Sequence, residues 1–260
     1  MHDLLDDYAY SNALRDTSQR LKLLLGLGAI LLCVSSATPT APLFIAVTMS
    51  LITVRLAKIP GRFYSTLLLI PFSFSLLSAA VVAFMHGGGD QLFTFNVFSI
   101  CLVIREDGAN LALLLIARTF GGMCSLFFIA LTTPMIETFS ILKSVGLPDF
   151  LVELSMLIYR YIFVFMDQAA VIHSAQVMRL GDAGVKNTLN SFSMLSSVLF
   201  LRAWEQGERL VVAMDARCYD GKLDLVEQSG KAEPMAIFAV MGYMAIVAAI
   251  VVLTRNIQLL

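Results

Sequence analysis

Charge is scarce in this chain. Only 14% of its 260 residues are Asp, Glu, Lys or Arg, against about a quarter in ordinary soluble domains. Histidine occurs three times, as His2, His86 and His173, with no partner ligands at metal spacing. The four cysteines form no C-x-x-C pair, so neither a zinc site nor a redox couple is indicated. Cys33, Cys101 and Cys124 sit in apolar runs, where a thiol behaves as a small buried apolar group. H-E-x-x-H, the Walker glycine loop and G-x-S-x-G are all missing. Gly87, Gly88 and Gly89 are followed by Asp90 and an apolar run, which makes a loop and not a phosphate cradle. No catalytic residues, metal ligands or cofactor site are therefore expected. A net charge of −1 argues neither for nor against nucleic acid, and no nucleic-acid partner is expected.

What is abundant is apolar surface, at 58% of residues and a mean hydropathy of +0.81. Crossing a hydrocarbon core takes about 20 apolar residues in a helix. Runs at 21–37, 43–57, 63–85, 111–131 and 235–254 approach or reach that length. The first two are short and need a further turn at one end. Pro71 kinks the third without ending it, because neighbouring helices can re-satisfy the freed carbonyl. The stretch 92–104 is too short to span, and its mixed aromatics suggest an interfacial or re-entrant segment. The expected fold is an all-α integral membrane protein with about five spans. The polar, acidic segment 1–20 precedes the first span and lacks the short basic region of a cleaved signal peptide.

Between 132 and 233 the periodicity is helical, but charges recur too often for lipid. Pro134 opens a helix that Gly146 and Pro148 close, and two amphipathic helices of about thirty residues follow. The expected layout is a bundle of four spans over 21–131, a coupling region over 132–233 and a final span over 234–260. Lys and Arg set the orientation: fifteen lie on the N-terminal side and in the amphipathic block, two on the other. The N-terminus and the amphipathic block are then cytoplasmic, in a multi-pass protein of the cell membrane.

Arg118 is a charge within a span. Such residues face the bundle interior or snorkel, and Gly121 and Gly122 one turn on would admit a close neighbour. Pairing with a carbonyl or hydroxyl outweighs a place in a transport path. A self-contained secondary transporter with its substrate path near Arg118 is the alternative function. Among thirteen methionines, Met156, Met166, Met178, Met194 and Met214 lie in the amphipathic block, which suits a core or a repacking interface equally.

One pattern occurs twice. Ala175, Arg179 and Asp182 repeat the spacing of Ala213, Arg217 and Asp220, each near the end of a long amphipathic helix. One such segment would read as an arginine on lipid phosphate or capping the last carbonyls. Two suggest arginines that enter grooves on a partner and meet carboxylates with both arms of the fork. Asp182 and Asp220 are placed to hold the guanidinium groups beforehand.

The block TTPMIETFSILKSVGLPDFLVELSMLIYRYIFVFMDQ, with these two arginine segments, resembles the transmembrane T component of energy-coupling factor (ECF) importers, and within it the cobalt-type branch, CbiQ. DDYAYSNALRDTSQRLKLL and REDGANLALLLIARTF fit that branch too. The resemblance implies a non-catalytic subunit that joins a membrane substrate-binding (S) subunit, with or without a small accessory membrane subunit, to a pair of ABC ATPases. It places Met178, Arg179 and Leu180, and Ala216, Arg217 and Cys218, at helix ends that dock on the two ATPases. Cys218 stands where that family usually has glycine or serine, and the first motif departs on both sides, with Gly181 one place late. The implied substrate is a transition-metal ion, cobalt or nickel.

Overall fold

The computed structural model describes residues 8–9, 12–15, 17–85, 91–97, 100–219 and 234–254. Apart from one hairpin the described fold is helical, as expected of an all-α membrane protein. Among the described residues eight α-helices run in order: α1 Gln19–Ser35, α2 Thr40–Leu51, α3 Gly61–Met85, α4 Glu106–Thr132, α5 Met135–Val145, α6 Asp149–Met178, α7 Val185–Asp215 and α8 Pro234–Thr254. They fall into two compact units, 1–138 with 228–260, and 139–227.

In the first unit α4 is the hub, packed against α1, α2 and α3, while α8 lies on α1 and α2. Its core gathers Ala29, Cys33, Ile45, Met49, Cys124, Phe128, Val240 and Val247. Large apolar side chains such as Leu69, Phe74, Phe238 and Val252 point outward instead. That inversion is what lipid permits, since lipid tails are as apolar as a protein interior. Helices α3, α4 and α8 are long and apolar enough to cross a bilayer. α1 has 17 residues, at the short end of the spanning range. α2 is lengthened by a π-helical turn, Ile52–Leu56, closed by the Ala57 N–H donating to the Ile52 carbonyl. α3 continues through Pro71.

Within the stretch 92–104 the described residues belong to two paired antiparallel strands, β1 Gln91–Val97 and β2 Ile100–Arg105. Their β-branched and aromatic residues favour a pleated backbone, and the ladder satisfies the peptide groups of both inner edges.

Gly121 fixes how closely α4 approaches its neighbours. A Cβ there would stand 2.7 Å from the Pro42 carbonyl oxygen and 2.8 Å from Cys33 Sγ. Gly122 has open space around it and plays no such part. Three residues before Gly121, Arg118 turns its guanidinium to the carbonyl of Ser36, to which Nε donates at 3.0 Å and Nη2 donates as well. Ser36 caps the C-terminus of α1, whose last carbonyls have no partner within the helix and carry partial negative charge. Ser36 Oγ in turn donates to the Thr38 carbonyl at 2.7 Å, and Thr38 Oγ1 donates to Thr254 Oγ1 at 3.0 Å. The polar groups at this end of α1, α4 and α8, buried at Ser36 and Thr38 and half-buried at Arg118 and Thr254, thus form one chain.

In the second unit α6 and α7 are 30 and 31 residues long, about 45 Å each at 1.5 Å per residue. Two contacts fix their ends. Near the α6 C-terminus Gln176 Nε2 donates to the Ser191 carbonyl at 2.9 Å, and Ser191 Oγ donates to the Gly181 carbonyl at 3.1 Å. Near the α7 C-terminus Tyr219 donates to a Glu153 carboxylate oxygen at 2.9 Å. The C-terminal ends of the two helices are therefore held apart by about the length of α6. α7 has no buried residue, and it exposes Leu189, Phe192, Met194, Phe200 and Trp204, the last at 64%.

Candidate functional site

The two arginines sit in the same local geometry. Arg179 ends α6 and is followed by Leu180 at φ +59°; Arg217 ends the last turn of α7 and is followed by Cys218 at φ +57°. At the first site the Gly181 N–H donates to the Gln176 carbonyl at 2.9 Å and the Leu180 N–H to Val177 at 3.0 Å. At the second the Tyr219 N–H donates to Met214 and the Cys218 N–H to Asp215, both at 3.1 Å. This is the six-to-one and five-to-two pairing of a Schellman cap, which normally puts glycine at the left-handed position. The end of α5 follows the same scheme with glycine there: Gly146 at φ +112°, with Leu147 N–H to Leu142 and Gly146 N–H to Lys143.

Each motif is thus a helix stop with its arginine on the final position. The residue after the arginine must turn left-handed, which costs an L side chain about 1–2 kcal/mol. Gly181 is not that residue; Leu180 is. Gly181 serves the close approach of α7, because a Cβ there would lie 2.6 Å from Ser191 Oγ and 2.9 Å from the Gln176 oxygen. Leu180→Gly and Cys218→Gly are each expected to steady their helix end by about 1 kcal/mol. Hydrogen exchange of the Gly181 and Tyr219 amides should slow about fivefold, a factor that 1 kcal/mol supplies.

Ala175, Met178, Arg179, Leu180, Ala213, Ala216, Arg217 and Cys218 are all exposed, so both tips present their whole motif to the surroundings. Met178 and Leu180, 87% and 75% exposed, flank Arg179 with apolar surface. Ion pairs among the described residues include Lys143–Asp149 and Glu205–Arg209. Asp182 does not pair with Arg179, and Asp220 lies outside the described residues. In the Asp182 case the helix stop explains this, because the left-handed turn at Leu180 redirects the chain before Asp182 is reached. Arg118, by contrast, is engaged by Ser36 in the other unit. Among the described residues no three His, Cys, Asp or Glu side chains gather where a metal ion would sit.

Sequence reading missed a second polar assembly, at the junction of α4 and α5. Lys22 is only 4% exposed, and its Nζ donates to the Thr132 carbonyl at 3.3 Å. Asn12 Nδ2 donates to the carbonyls of Ala9 at 2.6 Å and of Leu131 and Thr132 at 3.4 Å. Glu137, in the first turn of α5, faces Lys22, Arg15 and Gln19; burial pushes its carboxyl up, while the two cations and the Gln19 hydrogen bond oppose that shift. Lys22 sits 110 positions from its acceptor, so no local pattern announces the contact.

The cobalt transport protein family CbiQ matches residues 10–227. The chain belongs to that family. It is accordingly a transport-family membrane component and a multi-pass membrane protein. A putative fused cobalt transport protein CbiMQ of Methanocorpusculum labreanum is 45% identical over 94% of this chain, and the chain spans 41% of that relative's length. The cobalt transport protein CbiQ of Rhodobacter capsulatus is 27% identical over 94% of this chain and 96% of its own length. The energy-coupling factor transporter transmembrane protein EcfT of Clostridium kluyveri is 28% identical over 67% and 68%. Family membership thus covers the central helix α4, the α4–α5 junction and both arginine tips.

Proposed function

We propose that this CbiQ-family chain is the coupling subunit of an ECF-type ABC importer for a transition-metal ion, cobalt or nickel. It has no catalytic role itself. A pair of ABC ATPases hydrolyses ATP, and a membrane substrate-binding subunit, alone or with a small accessory membrane subunit, selects the ion. The N-terminus and the 132–233 region face the cytoplasm, a reading supported by fifteen Lys and Arg on that side against two on the other.

The observation that carries this reading is the pair of capped tips. Two long helices end in the same hydrogen-bonded stop, each with an exposed arginine on its last position. A dimer of ATPases offers two grooves, and a guanidinium entering each can take a carboxylate with two parallel donors. The separation of the tips by about the length of α6 suits two distinct docking points. The uncovered apolar side of α7 suits burial against partner subunits, because exposed patches of that kind mark interaction surfaces. The fused CbiMQ relative supports a second membrane unit beside this one. Arg118, already spent on the end of α1, serves the fold in this scheme and not a substrate path.

The test is co-purification. A tagged chain co-expressed with a pair of ABC ATPases and a membrane substrate-binding subunit is expected to retain both ATPases through gel filtration and to support ATP-dependent metal uptake in proteoliposomes. Uptake by the purified chain alone, driven by an ion gradient without ATPase, would overturn the proposal.

A further inference from the structure

The α4–α5 junction is built as a lock. Leu131, Thr132, Thr133 and Pro134 are all buried. Pro134 bars α4 from continuing, since it has no N–H to donate, and starts α5 by accepting from the Thr138 N–H at 3.2 Å. The last carbonyls of α4 then need outside donors. Lys22 and Asn12 supply them, from α1 and from the segment before it. On the α5 side, Glu137 lies beside Gln19 and in the field of Lys22 and Arg15. Gln19 and Lys22 stand one turn apart on α1, so a single helix end grips both sides of the bend. A buried lysine is expensive unless charge and hydrogen bonds compensate it, and simple packing would be served by an apolar residue at position 22. Three polar atoms at this junction, Gln19 Oε1, Thr133 Oγ1 and Glu137 Oε2, have no hydrogen-bond partner among the described residues; such groups take up ordered water.

We propose that Lys22 is a positioning residue that stiffens the α4–α5 elbow, so that movement entering through α5 reaches the hub helix α4 instead of being absorbed at Thr132–Pro134. This rests on the coupling role proposed above. It assigns Lys22 no contact with ATPase, ion or substrate-binding subunit.

The experiment uses the whole reconstituted complex and reads metal uptake per ATP hydrolysed. Lys22→Met keeps length and apolar stem but removes the donor and the charge; Lys22→Arg keeps both. With Lys22→Met the ATPases are expected to stay bound and hydrolysis to continue within about twofold, while uptake per ATP falls about tenfold, a loss equivalent to about 1.4 kcal/mol of coupling. Lys22→Arg should recover most of the ratio. An unchanged ratio in Lys22→Met, or uptake and hydrolysis falling together with the yield of complex, would overturn the proposal. Should Lys22→Met fail to accumulate, Glu137→Gln is measured in its place: a fall in uptake per ATP supports the elbow, and an unchanged ratio overturns it. A wild-type chain that holds no ATPase defeats the coupling reading itself; a wild-type complex that couples, beside a Lys22→Met complex that couples equally well, defeats only the elbow.

Discussion

In the proposed coupling role, Arg217→Ala is expected to weaken the binding of an ABC ATPase to this chain by about 30- to 4,000-fold. Truncating one member of a desolvated, hydrogen-bonded charge pair costs about 2–5 kcal/mol, which converts to that range at 1.4 kcal/mol per decade. In the proposed docking, much of that loss would come from a partner carboxylate left buried and unpaired. Arg217 is exposed on a rigid helix stop, so little ordering is needed before it docks. Arg217→Lys keeps the charge but not the planar fork, and should fall between wild type and alanine. Arg179→Ala is expected to be milder, because Met178 and Leu180 remain to fill an apolar groove. Binding measured with purified components in detergent, and uptake measured in liposomes, should fall in the same order. Full uptake and undiminished binding by Arg217→Ala would remove this arginine from the coupling path.

Gly121→Val should have the other large effect, on folding and not on docking. Its first added carbon would meet the Pro42 carbonyl oxygen and Cys33 Sγ at 2.7 and 2.8 Å. A backbone oxygen cannot swing aside as a side chain can, and two further carbons must then be accommodated. Overpacking typically costs about 1–3 kcal/mol and more where nothing can move. Here α1, α2 and α4 meet at that point, so the bundle has to open. The expected result is loss of the monodisperse peak in gel filtration after detergent extraction. Gly122→Ala, with open space around it, should leave that peak unchanged. A normal peak for Gly121→Val would mean that α2 and α4 do not approach as closely as described.

The long apolar runs made the bundle legible. The run at 235–254 became α8, Pro234–Thr254, because nothing but apolar residues lies between its ends. α4 starts at Glu106, well before the run at 111: hydropathy marks the part that suits lipid, while the helix extends through charged residues beyond it. The hairpin was not legible as such, since a short apolar run gives no period that separates strand from buried helix. The amphipathic pattern and the Pro134, Gly146 and Pro148 signals did mark α5, α6 and α7. The caps were hidden for a specific reason. Glycine is the usual sign of a left-handed helix end, so Gly181 drew attention one residue too late, and Leu180 and Cys218 carried no sign at all. Lys22 reads as an ordinary flanking cation until the fold brings Thr132 to it.

Cys218 offers the most direct test of the central claim, because it is the exposed residue beside Arg217 while Cys33 and Cys124 are buried. With Cys101 replaced by serine, the rate at which a charged maleimide alkylates Cys218 in inverted membrane vesicles would be measured with and without the bound ATPases. Docking of the tip in a groove predicts at least about a tenfold slowing, since a closed state favoured by 1.4 kcal/mol hides the thiol nine-tenths of the time. An unchanged rate, with both ATPases still attached to the vesicles, would mean that the arginine tips are not where the motor is held.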